Sequence, residues 1–207
     1  MALGLSTENT GGGDFTPIVK FDARAGRMFR IDREQTAAGW ETSNVEITTG
    51  FQAVFDFDNL EVGWAHFAAG MAPSWTMVPH GAPLPAKPSA DHKQAFRLRM
   101  KLGAKSGGDV REFGATAKAV LNGLDKVHDA YLAGKADNKG KLPVITLTGS
   151  KPIVSQGKGQ SSTNYEPVFE LVKWVDLPPE LAGAEHAPTP AKVEVRAPEP
   201  AMADDEF

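Results

Sequence analysis

Between Lys93 and Leu102 the chain alternates with a period of two. Phe96, Leu98, Met100 and Leu102 hold one parity, and Arg97, Arg99 and Lys101 hold the other. Successive side chains of a strand point to opposite faces, so the three cations stand about 7 Å apart on one face. Like charges in a row repel, and no acid lies inside the run to relieve them. A polyanion would, so the ladder suits contact with a phosphate backbone. Lys20, Arg27 and Arg30 place further cations in two short extended stretches near the start of the chain. Trp64, Trp75, Tyr165 and Trp174 are candidate stacking surfaces for bases. A domain of this size also needs aromatic mass inside, so about two of them are expected at a ligand and the others in the core.

Chemistry of other kinds finds little purchase. There is no cysteine, which excludes disulfides, thiolate catalysis and cysteine zinc sites. His66, His80, His92, His128 and His186 show no metal-ligand spacing, and none pairs with another at i, i+4. Gly157-Lys158-Gly159 lacks the first glycine and the final Ser or Thr of a phosphate loop, because Pro152 and Gly159 stand there. No nucleophile elbow occurs. Asp56 and Asp58 share a strand parity and could hold a metal as in a nuclease, against the plainer reading of a solvated hairpin end. The expectation is a binding protein without catalytic residues, cofactor or metal.

Charge is unevenly distributed. The 207 residues carry a net −4. Residues 182–207 hold six acids and two bases, a net −4, so the remainder is neutral. Residues 34–86 contain six acids and no Lys or Arg, whereas 87–173 contain fifteen bases and eight acids, a net +7. This pattern fits a domain with one basic surface and a detachable acidic tail. The tail carries Pro188, Pro190, Pro198 and Pro200 and ends in Asp204, Asp205, Glu206 and Phe207. It cannot bury enough apolar surface to offset its ordering entropy, so disorder is expected. An acidic cluster with one aromatic anchor suits a basic pocket, on a partner protein or on the chain's own body.

The elements that must position these residues read as mainly β. Residues 1–14 form a Gly-rich leader. Residues 15–21 and 27–33 are short strands around a turn at 22–26. Residues 44–57 read as one strand, turning at Asp58-Asn59 into a return strand at 61–67. Residues 70–89 are a Pro-rich loop holding Trp75. After a flexible turn at 103–108, Asp109 and Glu112 resemble a capping box. Phe113, Ala117, Val120, Leu124, Val127 and Tyr131 then recur at helical spacing, with Gly134 as C-cap, which predicts a helix over 110–133. Residues 143–148 form a strand and 150–164 an exposed hairpin. The last strand, 165–175, is apolar on both parities and is expected to be central. Pro178-Pro179 closes a domain spanning 15–181. No stretch is long and apolar enough to cross a membrane, and residues 1–13 lack signal-peptide character.

The order of strands, one helix, final strands and acidic tail resembles the single-stranded-DNA-binding proteins of bacteriophages, which join an OB domain to an acidic tail ending in Phe. The tail residues Asp204 to Phe207 carry the resemblance, with Asn164-Tyr165-Glu166-Pro167-Val168-Phe169 and the Arg97/Arg99 strand. Bacterial members have Ile-Pro before the terminal Phe; here Asp205 and Glu206 stand there, which leans toward a phage protein. The resemblance implies an OB-like Greek-key barrel with one amphipathic helix. Its helix lies between the third and fourth strands, with 15–33, 44–67 and 93–102 supplying the first three. It implies sequence-independent binding of single-stranded DNA in phage replication or recombination, inside the cytoplasm of the infected cell. The acidic tail would recruit partner proteins, and a homo-oligomer is compatible with the layout. A rival reading is a phage structural or adaptor protein whose basic face matches an acidic protein.

Overall fold

The computed structural model describes residues 17–37, 39–68, 73–157 and 160–182. The expected leader, and the acidic tail with Asp204, Asp205, Glu206 and Phe207, lie outside the described residues. The chain is mainly β, with one helix among the described residues. Its strands are β1 (Ile18–Asp22), β2 (Arg27–Thr36), β3 (Gly39–Glu46), β4 (Gln52–Phe55), β5 (Glu61–His66), β6 (Ser74–Pro79), β7 (Lys93–Leu102), β8 (Val110–Ala115), β9 (Lys141–Gly157) and β10 (Gln160–Asp176). The helix α1 (Lys118–Lys135) lies between β8 and β9. No helix among the described residues is long and apolar enough to cross a membrane.

The strands join one mixed sheet in the order β10-β9-β4-β7-β8-β1-β2-β3, and β5 pairs with both β6 and β7. Every pairing is antiparallel except β1 with β8. The Tyr165 N–H of β10 donates to the Ala23 carbonyl, in the turn between β1 and β2, at 2.6 Å. The segment β4–β5 with β7 and β8 precedes the helix, and β9 and β10 follow it. Residues expected to supply the strands before the helix do so: 15–33 holds β1 and most of β2, 44–67 holds the end of β3 with β4 and β5, and 93–102 is β7, with β1 set beside β8.

Several boundaries differ from the sequence reading. Residues 44–57 are not one strand. The chain leaves β3 at Glu46 and turns at Gly50, whose φ of 76° suits glycine, before β4 begins. Nor do β4 and β5 form a hairpin. Both pair with β7, linked by a short 3-10 turn at Phe57–Asn59, and the Asp56 N–H keeps the bend bonded to the Arg99 carbonyl at 3.0 Å. The Pro-rich loop contains β6, with Trp75 in it.

Residues 110–115 are strand, not helix. Leu102 N–H donates to the Asp109 carbonyl at 2.9 Å and closes a tight β7–β8 turn. The alternation within β8 then drives Phe113 inward against Phe55, Phe96 and Phe169. Burying such a ring stabilises by about 1.5–3 kcal/mol. A capping box at Asp109 and Glu112 would contribute about 1 kcal/mol, so the strand prevails. Gly134 is not the C-cap, since α1 continues to Lys135. Its bare Cα instead admits the Trp174 ring, which a Cβ would meet at 2.8 Å. Finally, β10 ends the pairing path rather than lying centrally. Of its second apolar parity only Trp174 packs against α1, its ring 5.6 Å from that of Tyr131, while Val168 and Val172 stay exposed.

Candidate nucleic-acid interface

Register fixes which side chains share a face. Arg99 lies opposite Glu112, Glu112 opposite Ile18, Ile18 opposite Ile31, and Ile31 opposite Asn44. This row crosses β7, β8, β1, β2 and β3 on the solvent side, a width of about 19 Å at ordinary strand spacing. The opposite parity, with Leu98, Phe113 and Val19, faces the core. Seven cations of these strands have the parity of the solvent face: Lys20, Arg27, Arg33, Lys93, Arg97, Arg99 and Lys101. Four carboxylates share it: Asp22, Glu46, Glu61 and Glu112.

Those carboxylates correct the picture of an unrelieved ladder. Arg97 is 5 % exposed. Its Nε donates to Glu61 at 2.7 Å and stands 4.0 Å from Glu112, and its guanidinium lies 5.8 Å from the Trp75 ring centre. Lys101 is bonded to Glu180, whose carboxyl that bond holds below its ordinary value. Arg27 pairs with Glu46 at 2.9 Å. Relief comes from neighbouring strands and from the segment after β10, none of which the alternation within β7 could reveal.

Arg30 leaves the expected set altogether. It has the core-side parity, opposite Val19 and Val45. There it stands 3.0 Å from Asp32, which is 2.6 Å from Arg111. Burial alone would pull Arg111 down, but Asp109 and Asp32 outweigh it and hold the guanidinium firmly charged. Arg111 also donates to the Ile31 carbonyl at 2.9 Å. This cluster, built around the buried Arg111, ties β8 to β2.

The aromatic candidates divide. Trp75 lies on the solvent face, its ring over Gly114, where a Cβ would meet it at 2.9 Å. Phe67 stands edge-on to it at 5.2 Å and is itself half exposed. Tyr165 and Trp174 pack against the core. Trp64 has the core-side parity of β5 and points toward the helix side, where its indole N–H donates to the Pro85 carbonyl at 2.8 Å. The sequence reading missed Trp40. It is 63 % exposed near the tip of the β2–β3 hairpin, with Arg33 at 5.6 Å from its ring centre. Strand β3 is expected from the sequence to start only at residue 44, and residues 39–44 carry no alternation of apolar and polar side chains that would extend it back to Gly39. Aromatics thus mark both ends of the face: Trp75 and Phe67 beside β7, and Trp40 on β3.

Asp56 and Asp58 take separate structural partners. Asp56 is 1 % exposed and accepts from the Asn59 amide at 2.9 Å. Asp58 accepts from Lys135 at 2.6 Å and from the Tyr131 hydroxyl. Among the described residues no three potential ligands gather for a metal ion. Folding does bring histidines together: His66 with His92 at 5.5 Å, and His80 with His128 at 4.7 Å between ring centres. His92 is held by Ser89 at 2.8 Å. His186 and Lys158 lie outside the described residues. No family model, curated protein or solved structure matches the chain.

Proposed function

We propose that the chain binds single-stranded DNA without regard to sequence, on the solvent face of β7-β8-β1-β2-β3. The observation that carries this reading is the largely exposed Trp40 at one edge of a cation-bearing sheet face whose other edge holds Trp75 and Phe67. Non-specific strand binding combines cations that follow the phosphates with rings on which bases stack. Lys20, Arg33 and Arg99 lie between the aromatic edges, and half-buried Phe29 and Ile31 add apolar surface. The OB-like order of strands and helix agrees with such a role. Arg97 serves here as a support for Trp75, and Lys101 reaches phosphate only by leaving Glu180.

The acidic residues Asp204, Asp205 and Glu206 with Phe207 are proposed to recruit replication or recombination partners. They also compete with DNA for the basic face. The chain acts as a coat on phage replication or recombination intermediates and not as an enzyme. Titration of full-length protein with oligo-dT tests this. Binding that weakens with salt, and that tightens at low salt when the chain is truncated after Leu181, is the expected outcome. Absence of binding at low salt overturns it, and salt-insensitive oligomers without strand preference would favour the adaptor reading.

A further inference from the structure

A second cationic feature lies on the other side of the β5–β7 pair, where Trp64 points. Two hollows of about 440 and 540 Å³ adjoin there and share Gln94, Leu121 and Asn122. They run between α1 and the loop that follows β6. The two ends differ in chemistry. One is lined by Lys87 and Lys118 beside the Trp64 ring, with Lys93 at its rim on the solvent-face parity of β7. None of these lysines forms an ion pair with a described residue, and Lys87 lies 5.8 Å from the Trp64 ring centre. The other end is mostly apolar, walled by Leu60, Val62, Leu84 and Phe96, and it holds the one carboxylate of the groove, Asp125.

The first turn of α1 borders the lysine end, through Thr116 and Lys118. Ala117 stands at the N-cap with no side-chain acceptor. The positive end of the helix dipole and its leading N–H groups thus add to the lysines. Asn122 and Gln94, at the junction, present amide groups able to both donate and accept. A ligand that satisfies all of this has an anionic end, a planar apolar body and polar edges between them. The Asp125 carboxylate fixes the polarity, because an anion is repelled from the apolar end.

We propose that this groove binds a nucleoside phosphate, with its phosphates on Lys87 and Lys118 and its base in the hollow between Leu60, Leu84 and Leu121. The site is separate from the sheet face and does not depend on strand binding there. The phosphorylated nucleotide has two sources: a free nucleotide, or the 5′-phosphorylated end of a strand.

Calorimetric titration of the full chain at low salt, with thymidine triphosphate as probe, tests the proposal. Thymidine triphosphate is expected to bind, thymidine alone and inorganic triphosphate each at least about tenfold more weakly. The double substitution of surface lysines, Lys87→Ala with Lys118→Ala, lowers affinity about tenfold or more and leaves oligo-dT binding unchanged. Trp40→Ala does the reverse. Comparing 5′-phosphorylated with 5′-hydroxyl oligo-dT separates the sources: tighter binding of the former, abolished by the double substitution, assigns the strand end. No binding of the triphosphate, or equal binding by the double variant, overturns the proposal even if oligo-dT still binds the sheet face. Loss of oligo-dT binding in the lysine variant also overturns it, because the groove would then belong to the strand path.

Discussion

The solvent face of the sheet and the helix-side groove both set cations beside tryptophan, yet they hold their charges differently. On the face, Arg97, Arg27 and Lys101 each have a carboxylate partner. In the groove, Lys87 and Lys118 have none among the described residues. A paired cation must exchange a carboxylate for a phosphate, which yields little net gain, whereas an unpaired one adds its full attraction. The difference also separates two structural roles. Arg97 is buried and holds the sheet together; the groove lysines are exposed, and only Lys87 has a side-chain bond among the described residues, to the Ala90 carbonyl at 3.0 Å.

The largest expected effect tests that role for Arg97. Arg97→Ala leaves Glu61 without its partner in a largely buried place, and breaking such a pair costs about 3–5 kcal/mol. Urea unfolding measures it. The double variant Arg97→Met with Glu61→Met, which removes both charges, should recover most of the loss. If Arg97→Ala unfolds like the wild type while its DNA affinity collapses, Arg97 is a ligand contact and the contrast with the groove disappears. Next in size is Trp40→Ala, which removes a stacking platform worth about 1–3 kcal/mol to strand binding. Because Trp40 is mostly exposed, the same substitution should leave the urea midpoint within error. Unchanged oligo-dT affinity would take the β2–β3 hairpin out of the interface.

Much of the fold was legible because local periodicity carried it. The limits of β7 follow from its alternation alone, and the β1–β2 turn follows from Asp22, whose carboxylate accepts from the Arg24 N–H at 2.8 Å. Misreadings arose where one pattern satisfied two periods. Phe113 and Ala117 fit a helical series, yet Phe113 belongs to β8, and only its distant ring partners decide between them. The site was less legible for a related reason. Sequence shows that Arg97, Arg99 and Lys101 share a face, but Glu61 is 36 residues away and Glu180 is 79 from Lys101. Pairing across such distances depends on strand order, which no local count contains. The groove was hidden in the same way, since Lys87 and Lys118 meet only when the loop after β6 packs beside α1.

A smaller effect sharpens the comparison of paired with unpaired cations. Lys20 is exposed on the sheet face and forms no ion pair with a described residue, whereas Lys101 is bonded to Glu180. Lys20→Ala should therefore reduce the salt slope of oligo-dT binding by about 0.7, one phosphate's share. Lys101→Ala should reduce it by less. Equal reductions would mean that the Glu180 pair opens freely in the complex.

The smallest expected effect concerns the groove floor. His128 lines the apolar hollow against His80 and beneath Phe57 and Tyr131. Burial, and then the neighbouring His80, hold its pKa below the ordinary 6.5, against weaker upward pulls from Asp129 and Asp125. A base whose folded pKa is depressed is protonated more readily in the unfolded chain. As pH falls through about 6.5 the unfolded state therefore takes up the proton first, and stability declines until the folded-state pKa is passed. Above that window both states are neutral at this site and it contributes no slope. Melting temperatures measured from pH 7.5 to 5.5 should fall more steeply for the wild type than for His128→Gln, which cannot take the proton. Parallel declines would assign the acid sensitivity to other groups and leave His128 as packing alone.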